Sequence, residues 1–201
     1  MSPSPVTRRR GPALTEAIYL ATLDELARNG FAELSFDKIA KAAGTGKAAL
    51  YRRWSGREDL VLAALTDPAT GFGKSPARPG TGSLRTDLLT LLTELVRILG
   101  EPHGQALRPL IAYRHQHPEL FDRVWASVIR PAQEVLLGVL AEAAERGEAD
   151  PARVTERSAS LGPRLLVVDA WLTGSVGAGE VAAIVDEVLV PLMCAGCGSP
   201  P

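Results

Sequence analysis

The sequence predicts an all-α protein of about nine helices, with a small N-terminal helical domain joined through one linker to a larger helical domain. Three observations carry this expectation. Aromatic residues make up only 5% of the chain, so residues that favour strands are scarce, whereas Ala, Leu and Glu recur in long stretches free of interior Gly and Pro. Apolar residues return at helical spacings. The one dense cluster of breakers, Pro68 to Gly82, holds four glycines and three prolines and marks a domain boundary. The 46% hydrophobic content over 201 residues is ample for continuous cores. No apolar run approaches the roughly 20 residues that span a bilayer. Arg8, Arg9 and Arg10 are followed by mixed sequence, unlike a secretory leader, and a soluble, cytoplasmic protein is expected.

Residues 1–12, with three prolines, two serines and the Arg8 to Arg10 cluster, read as a mobile basic arm. A helix follows from about Ala13 to Asn29, with Leu14, Ile18, Thr22 and Leu26 on one row and Gly30 as its stop. Ser35 caps a short helix that ends at Ala43, before Gly44. A third helix is expected from about Gly46 to Trp54. A fourth starts near Gly56, turns Leu60, Val61, Ala64 and Leu65 inward, and stops at Asp67 because Pro68 follows. Residues 13–66 form the N-terminal domain, 67–82 the linker and 83–195 the C-terminal domain. In the latter, helices are expected over Ser83 to Leu99, Gln105 to Gln116, Glu119 to Glu145 with a kink or split at Pro131, Thr155 to Thr173 and Val181 to Cys194. Residues 196–201 are a disordered tail.

The second and third helices satisfy the conditions of a helix-turn-helix. Ile39, Ala40, Ala43 and Leu50 can share a core, and Gly44 makes the turn. Small Ala48 and Ala49 permit close approach to bases, with Thr45, Lys47 and Arg52 as nearby donors. A surface hairpin without a DNA role is the competing account. The charge distribution favours DNA: residues 1–60 hold ten Lys/Arg against seven Asp/Glu, and the remainder twelve against sixteen.

Ile39-Ala-Lys-Ala-Ala-Gly44, Lys47, Leu50-Tyr-Arg-Arg-Trp54 and Arg57-Glu-Asp-Leu60 resemble the N-terminal signature of the TetR family. Gly82 to Leu88, Arg146-Gly147-Glu148 and Leu161 to Leu166 resemble one C-terminal subclass of that family. The resemblance implies that Thr45, Lys47 and Ala48 face base edges while Tyr51 and Arg57 hold phosphates. Arg52 is favoured over Arg53 to point toward DNA, and Arg10, Ser35 and Gly46 complete the candidate contacts. Two positions depart from the pattern. Gly46 stands where Ser or Thr is usual, removing a hydroxyl, and Trp54 replaces the commoner Phe as an apolar plug.

In the C-terminal part, Leu161, Leu165, Val168 and Leu172 form one stripe, and Val181, Ile184, Val185, Val188 and Leu192 form another. The resemblance implies that both build a four-helix interface in a homodimer; packing within the monomer is the alternative. A two-fold dimer reads a palindromic operator in double-stranded DNA. Tyr113, His117, Phe121, Trp125 and Trp171 are candidates to line a pocket for a small apolar or aromatic effector, although each could be ordinary core. His115 and His117 diverge on a helix and make no metal site. Cys194 and Cys197 lack two further ligands for zinc and read as incidental thiols. No cofactor is expected, and no catalytic constellation argues for an enzyme. The expected function is a repressor released by its effector; the alternative is a regulator that needs no effector or answers to a protein partner.

Overall fold

The computed structural model describes residues 11–74 and 76–194. Arg10, most of the basic arm, Cys197 and the C-terminal tail lie outside them. Among the described residues the regular structure is all helical, with no strand. In chain order the helices are α1 (Pro12–Asn29), α2 (Phe36–Ala43), α3 (Lys47–Tyr51), α4 (Arg57–Thr66), α5 (Leu84–Gly100), α6 (Pro102–Ala112), α7 (Pro118–Val124), α8 (Arg130–Glu145), α9 (Glu156–Thr173), α10 (Ala178–Ala183) and α11 (Val190–Cys194). π-helical turns at Trp125–Ile129 and Ile184–Leu189 join α7 to α8 and α10 to α11, so these pairs are two interrupted helices, and nine α-helical runs result among the described residues. Each π turn stands just before an X-Pro pair, Arg130-Pro131 or Val190-Pro191. Proline lacks an N–H and clashes with the carbonyl four residues back, and widening the helix there relieves the clash.

The helices divide into two compact units. The first contains residues up to Lys74 together with 102–128, and the second contains 75–101 with residues from Ile129 onward. The chain passes from the first unit to the second after Lys74. Residues 102–128, assigned from sequence to the C-terminal domain, instead cluster with α1 to α4. The reason is packing: Leu107, Leu110, Leu120 and Val124 are buried in one core with Ile18, Leu23, Leu26, Ile39, Leu50, Leu60 and Leu65.

In the first unit, α1 begins at Pro12, a residue suited to a first helical position, and ends at Gly30 with φ 75°. Thr22, on the predicted inward row, is buried and donates its hydroxyl to Ile18 O at 2.7 Å. The start of the expected loop is an ordered turn. Asp67 Oδ1 accepts from the backbone N–H groups of Ala69 and Thr70 at 2.9 and 3.0 Å and from the Thr70 hydroxyl at 3.1 Å. This folds the chain back so tightly that a Cβ on Gly73 would lie 2.1 Å from Thr66 O. Gly73→Ala is therefore expected to lower the stability of this unit by about 1–3 kcal/mol, read as a shift in its urea midpoint.

Helix α6 starts earlier and ends earlier than its periodicity suggested, giving way to a turn at Tyr113–His117. The run 118–145 is long and apolar enough by composition to cross a membrane. Leu120 and Val124 are buried in the first core, and Leu136, Val139 and Leu140 in the second, so packing accounts for that apolar side.

The second unit packs α5, α8, α9 and the α10–α11 run around Leu84, Leu88, Leu92, Leu136, Leu140, Leu166, Val185 and Met193. Ser83 caps α5 and Thr155 caps α9, the latter in a reciprocal capping box with Ser158. Asp87 is fully buried and accepts from the Thr81 N–H and hydroxyl at 2.9 and 2.8 Å. Its other oxygen lies 4.0 Å from Arg146 Nη2. Glu148 accepts from the Leu84 N–H at 2.6 Å and from Arg146 Nε at 2.7 Å, and Gly147 makes the intervening turn at φ 78°. These contacts tie the end of α8 to the start of α5.

The Leu84 N–H, then Arg146, hold the Glu148 carboxyl below its ordinary 4.5. A depressed folded-state pKa stabilises the fold above the unfolded value, and this contribution disappears as pH falls through the folded value. Wild-type protein should thus lose thermal stability relative to Glu148→Gln as pH drops below about 4.5; parallel melting curves at all pH values would contradict this.

Candidate nucleic-acid interface

Helices α2 and α3 meet across Gly44, whose left-handed φ 68°, ψ 37° ends α2. The Thr45 N–H then donates to Ala40 O at 2.9 Å, closing the turn. Ile39, Ala40, Ala43 and Leu50 are buried together beneath it. Trp54 is 8% exposed and meets the Tyr19 ring edge-on at 5.8 Å, which places it on the core side. Helix α3 has only five residues, shorter than expected. The Arg53 N–H donates to Leu50 O at 2.9 Å, tightening its last turn so that Trp54 swings inward.

Outside, Gly46, Lys47, Ala48, Tyr51 and Arg52 are exposed and Thr45 is half-buried. Arg53 turns back, donating to Thr15 Oγ1 at 2.6 Å, so the two arginines diverge. Ser35 Oγ accepts the Lys38 N–H at 3.3 Å, capping α2. Lys47 Nζ pairs with Asp37 Oδ2 at 2.8 Å and sits 5.7 Å from the Tyr51 ring centroid; the bond to Asp37 raises the Lys47 pKa. The Tyr51 ring in turn packs edge-on against Phe36 at 4.7 Å. A shallow depression of about 390 Å³ runs along this face, bordered by Ser35, Asp37, Lys47, Tyr51, Arg57 and Glu58.

Arg57 lies at this depression but is committed inward. Its Nη1 donates to Leu34 O at 2.8 Å, and the guanidinium lies 5.0 Å from the Phe31 ring. It braces the loop before α2. Asp59, two residues on, is held by the Ser55 hydroxyl and by Arg123 of α7 at 2.9 Å, and both lower its pKa. Asp37 and Arg123 were not singled out from sequence. For Asp37 a signal was present: an acid in the first turn of one short helix and a lysine opening the next.

The pocket candidates fall in both units. Phe121 and Trp125 are neighbours, their rings tilted at 6.0 Å, but His117 packs edge-on against Phe31 at 4.5 Å. Tyr113 is exposed in the turn after α6. All four belong to the first unit, whereas Trp171 is half-buried on α9 of the second. The second unit's core contains a cavity of only about 10 Å³, bordered by Leu88, Leu92, Leu136, Leu140, Gly162, Leu189 and Met193.

Of the two apolar stripes, the one on α9 is exposed at Val168 and Leu172, while Leu161 and Leu165 are half-buried against the second unit's core. Val181, Ile184 and Val185 are buried in the second unit's core, while Val188 is exposed and Leu192 half-buried. Cys194 is half-buried and donates its thiol to Glu148 O at 3.3 Å.

Residues 18–64 match the family described as bacterial regulatory proteins, tetR family, and residues 78–188 match the tetracyclin repressor-like C-terminal domain. An uncharacterized HTH-type transcriptional regulator of Mycobacterium bovis is 29% identical over 188 residues, covering 93% of this chain and 91% of its own. The DNA-binding transcriptional repressor TetR of Mycobacteroides abscessus is 29% identical over 192 residues, covering 93% and 97%. Among solved structures, a TetR transcription regulator from Haloarcula marismortui is similar with a TM-score of 0.68 at 21% identity, over 90% of this chain and 97% of that one.

Proposed function

The chain belongs to the TetR family of helix-turn-helix transcriptional regulators, which are DNA-binding proteins and not enzymes, and from that premise we propose that it is a cytoplasmic repressor that binds a palindromic operator as a homodimer. The observation that carries this reading is the outward face of α2 and α3: small residues at Gly46 and Ala48, donors at Thr45, Lys47 and Arg52, and a depression bordered by Ser35 and Tyr51. Small residues admit the helix to the major groove, while hydroxyls and cations take phosphates and base edges. The repressor named in Mycobacteroides abscessus supports the negative sign of regulation. Tyr51 is the stronger phosphate candidate, because Arg57 already serves two backbone carbonyls.

The test is selection of bound duplexes from a library with a randomised core, followed by footprinting on DNA flanking the gene. A protected palindrome that represses a reporter is expected, and no enriched palindrome would overturn the reading. Release by a small apolar or aromatic effector completes the proposal: an effector that binds the DNA-incompetent conformation better shifts the population off the operator. Phe121 and Trp125 are the aromatic pair best placed to contact it, by their proximity. One observation favours a second reading, regulation without an effector or through a protein partner. The 10 Å³ cavity of the second unit's core has room for about one water. A compound screen monitored by operator release separates the two.

A further inference from the structure

We propose that Asp37 and Lys47 form a single reading unit that selects a G·C base pair in each operator half-site. The proposal rests on the operator-binding reading and adds which base pair one part of the site demands. Lys47 opens α3, and the N-terminal residues of a recognition helix are those that reach base edges. Its ammonium is held at 2.8 Å by Asp37, from the first turn of α2, and both side chains are open to solvent at 46% and 69% exposure. The Tyr51 ring borders the ammonium, and Tyr51 itself is set against buried Phe36. The pair is thus aimed outward and braced before DNA arrives.

Charge argues that this lysine is no phosphate clamp. An aspartate facing a polyanion is repelled by it, and the ion pair is neutral, so it adds nothing to the counterion-release attraction. What the pair offers is an ordered set of donors and acceptors. The ammonium has three N–H groups, one spent on Asp37 and two free; the carboxylate has further lone pairs free. In the major groove a G·C pair presents N7 and O6 of guanine as acceptors and then N4–H₂ of cytosine as a donor. Two ammonium donors followed by a carboxylate acceptor match that order. An A·T pair presents an acceptor, a donor, an acceptor and a methyl group, so the second ammonium N–H would meet the adenine amino group. The neighbours do not compete: Ser35 Oγ accepts the Lys38 N–H and Arg57 serves Leu34 O.

The test repeats the duplex selection with wild type, Asp37→Asn and Lys47→Gln, after matching their helix content and melting temperatures. Wild type is expected to enrich a palindrome with G·C at one symmetric position. Asp37→Asn should keep the palindrome, lose about tenfold in preference at that position alone, and gain affinity for unrelated duplex. Its salt slope should steepen by about 0.9, because the freed ammonium takes a phosphate. Lys47→Gln should flatten the same position. An unchanged Asp37→Asn profile, an equal loss at every position, or a lost preference for A·T overturns the inference while leaving operator binding intact. Failure of wild type to enrich any palindrome overturns operator binding itself, and the inference with it.

Discussion

Replacing Val168 and Leu172 together by Asp is expected to leave the subunit folded, convert it to monomers and weaken binding to the selected operator about 10²- to 10⁴-fold. Both side chains are already exposed on α9, at 49% and 79%, so a carboxylate there costs an isolated subunit little. In a dimer the same carboxylates would be buried without partners, which costs far more than the apolar contact they replace contributes. The loss of affinity follows from geometry: two linked recognition helices make the second half-site an intramolecular event, and a monomer forgoes that advantage. Sedimentation measures the first consequence and titration of the duplex the second. A dimer that survives the substitution with unchanged affinity would place the interface elsewhere. The surface expected to pair is narrower than two full stripes, because Val181, Ile184 and Val185 are consumed by their own core, leaving Val188 and Leu192 to join the α9 residues.

That narrowing shows where sequence reading stops. The scaffold of α2 and α3 was legible because its determinants are local: Gly44 supplies a left-handed turn, and Ile39, Ala43 and Leu50 follow helical spacing. The cap at Ser35 was legible for the same reason. A stripe reports that a face is apolar, not what covers it, so Val185 and Val168 look alike in sequence yet point to a core and to solvent. The packing of α6 and α7 beside α1 and α4 depends on contacts such as Arg123 with Asp59, 64 residues apart, which no local pattern encodes. Arg57 is the same case within the site. The resemblance implied that Arg57 holds phosphate, whereas its commitment to Leu34 O depends on how the loop before α2 returns to α4.

Trp54→Ala is expected to remove about 3–5 kcal/mol from the stability of the first unit, with a much smaller effect on the second. The indole is nearly closed from solvent and packs edge-on with Tyr19 of α1, at the point where the Trp54 backbone N–H donates to Leu50 O at 3.0 Å and α3 ends. Removing it leaves a cavity between α1 and α3 that the short recognition helix, with a single buried residue of its own at Leu50, cannot collapse to fill. Arg52→Ala provides the contrast: the side chain is exposed, so stability should be unchanged while operator affinity falls. Urea unfolding followed by hydrogen exchange of α3 and α9 amides separates the units, since the loss should appear in α3 and not in α9. If Trp54 instead served by stacking on nucleic acid, the free protein would be as stable as wild type and only DNA binding would suffer. The burial of the ring against Tyr19 argues for the stability loss, and with it for a recognition helix whose position is set from behind by an aromatic plug.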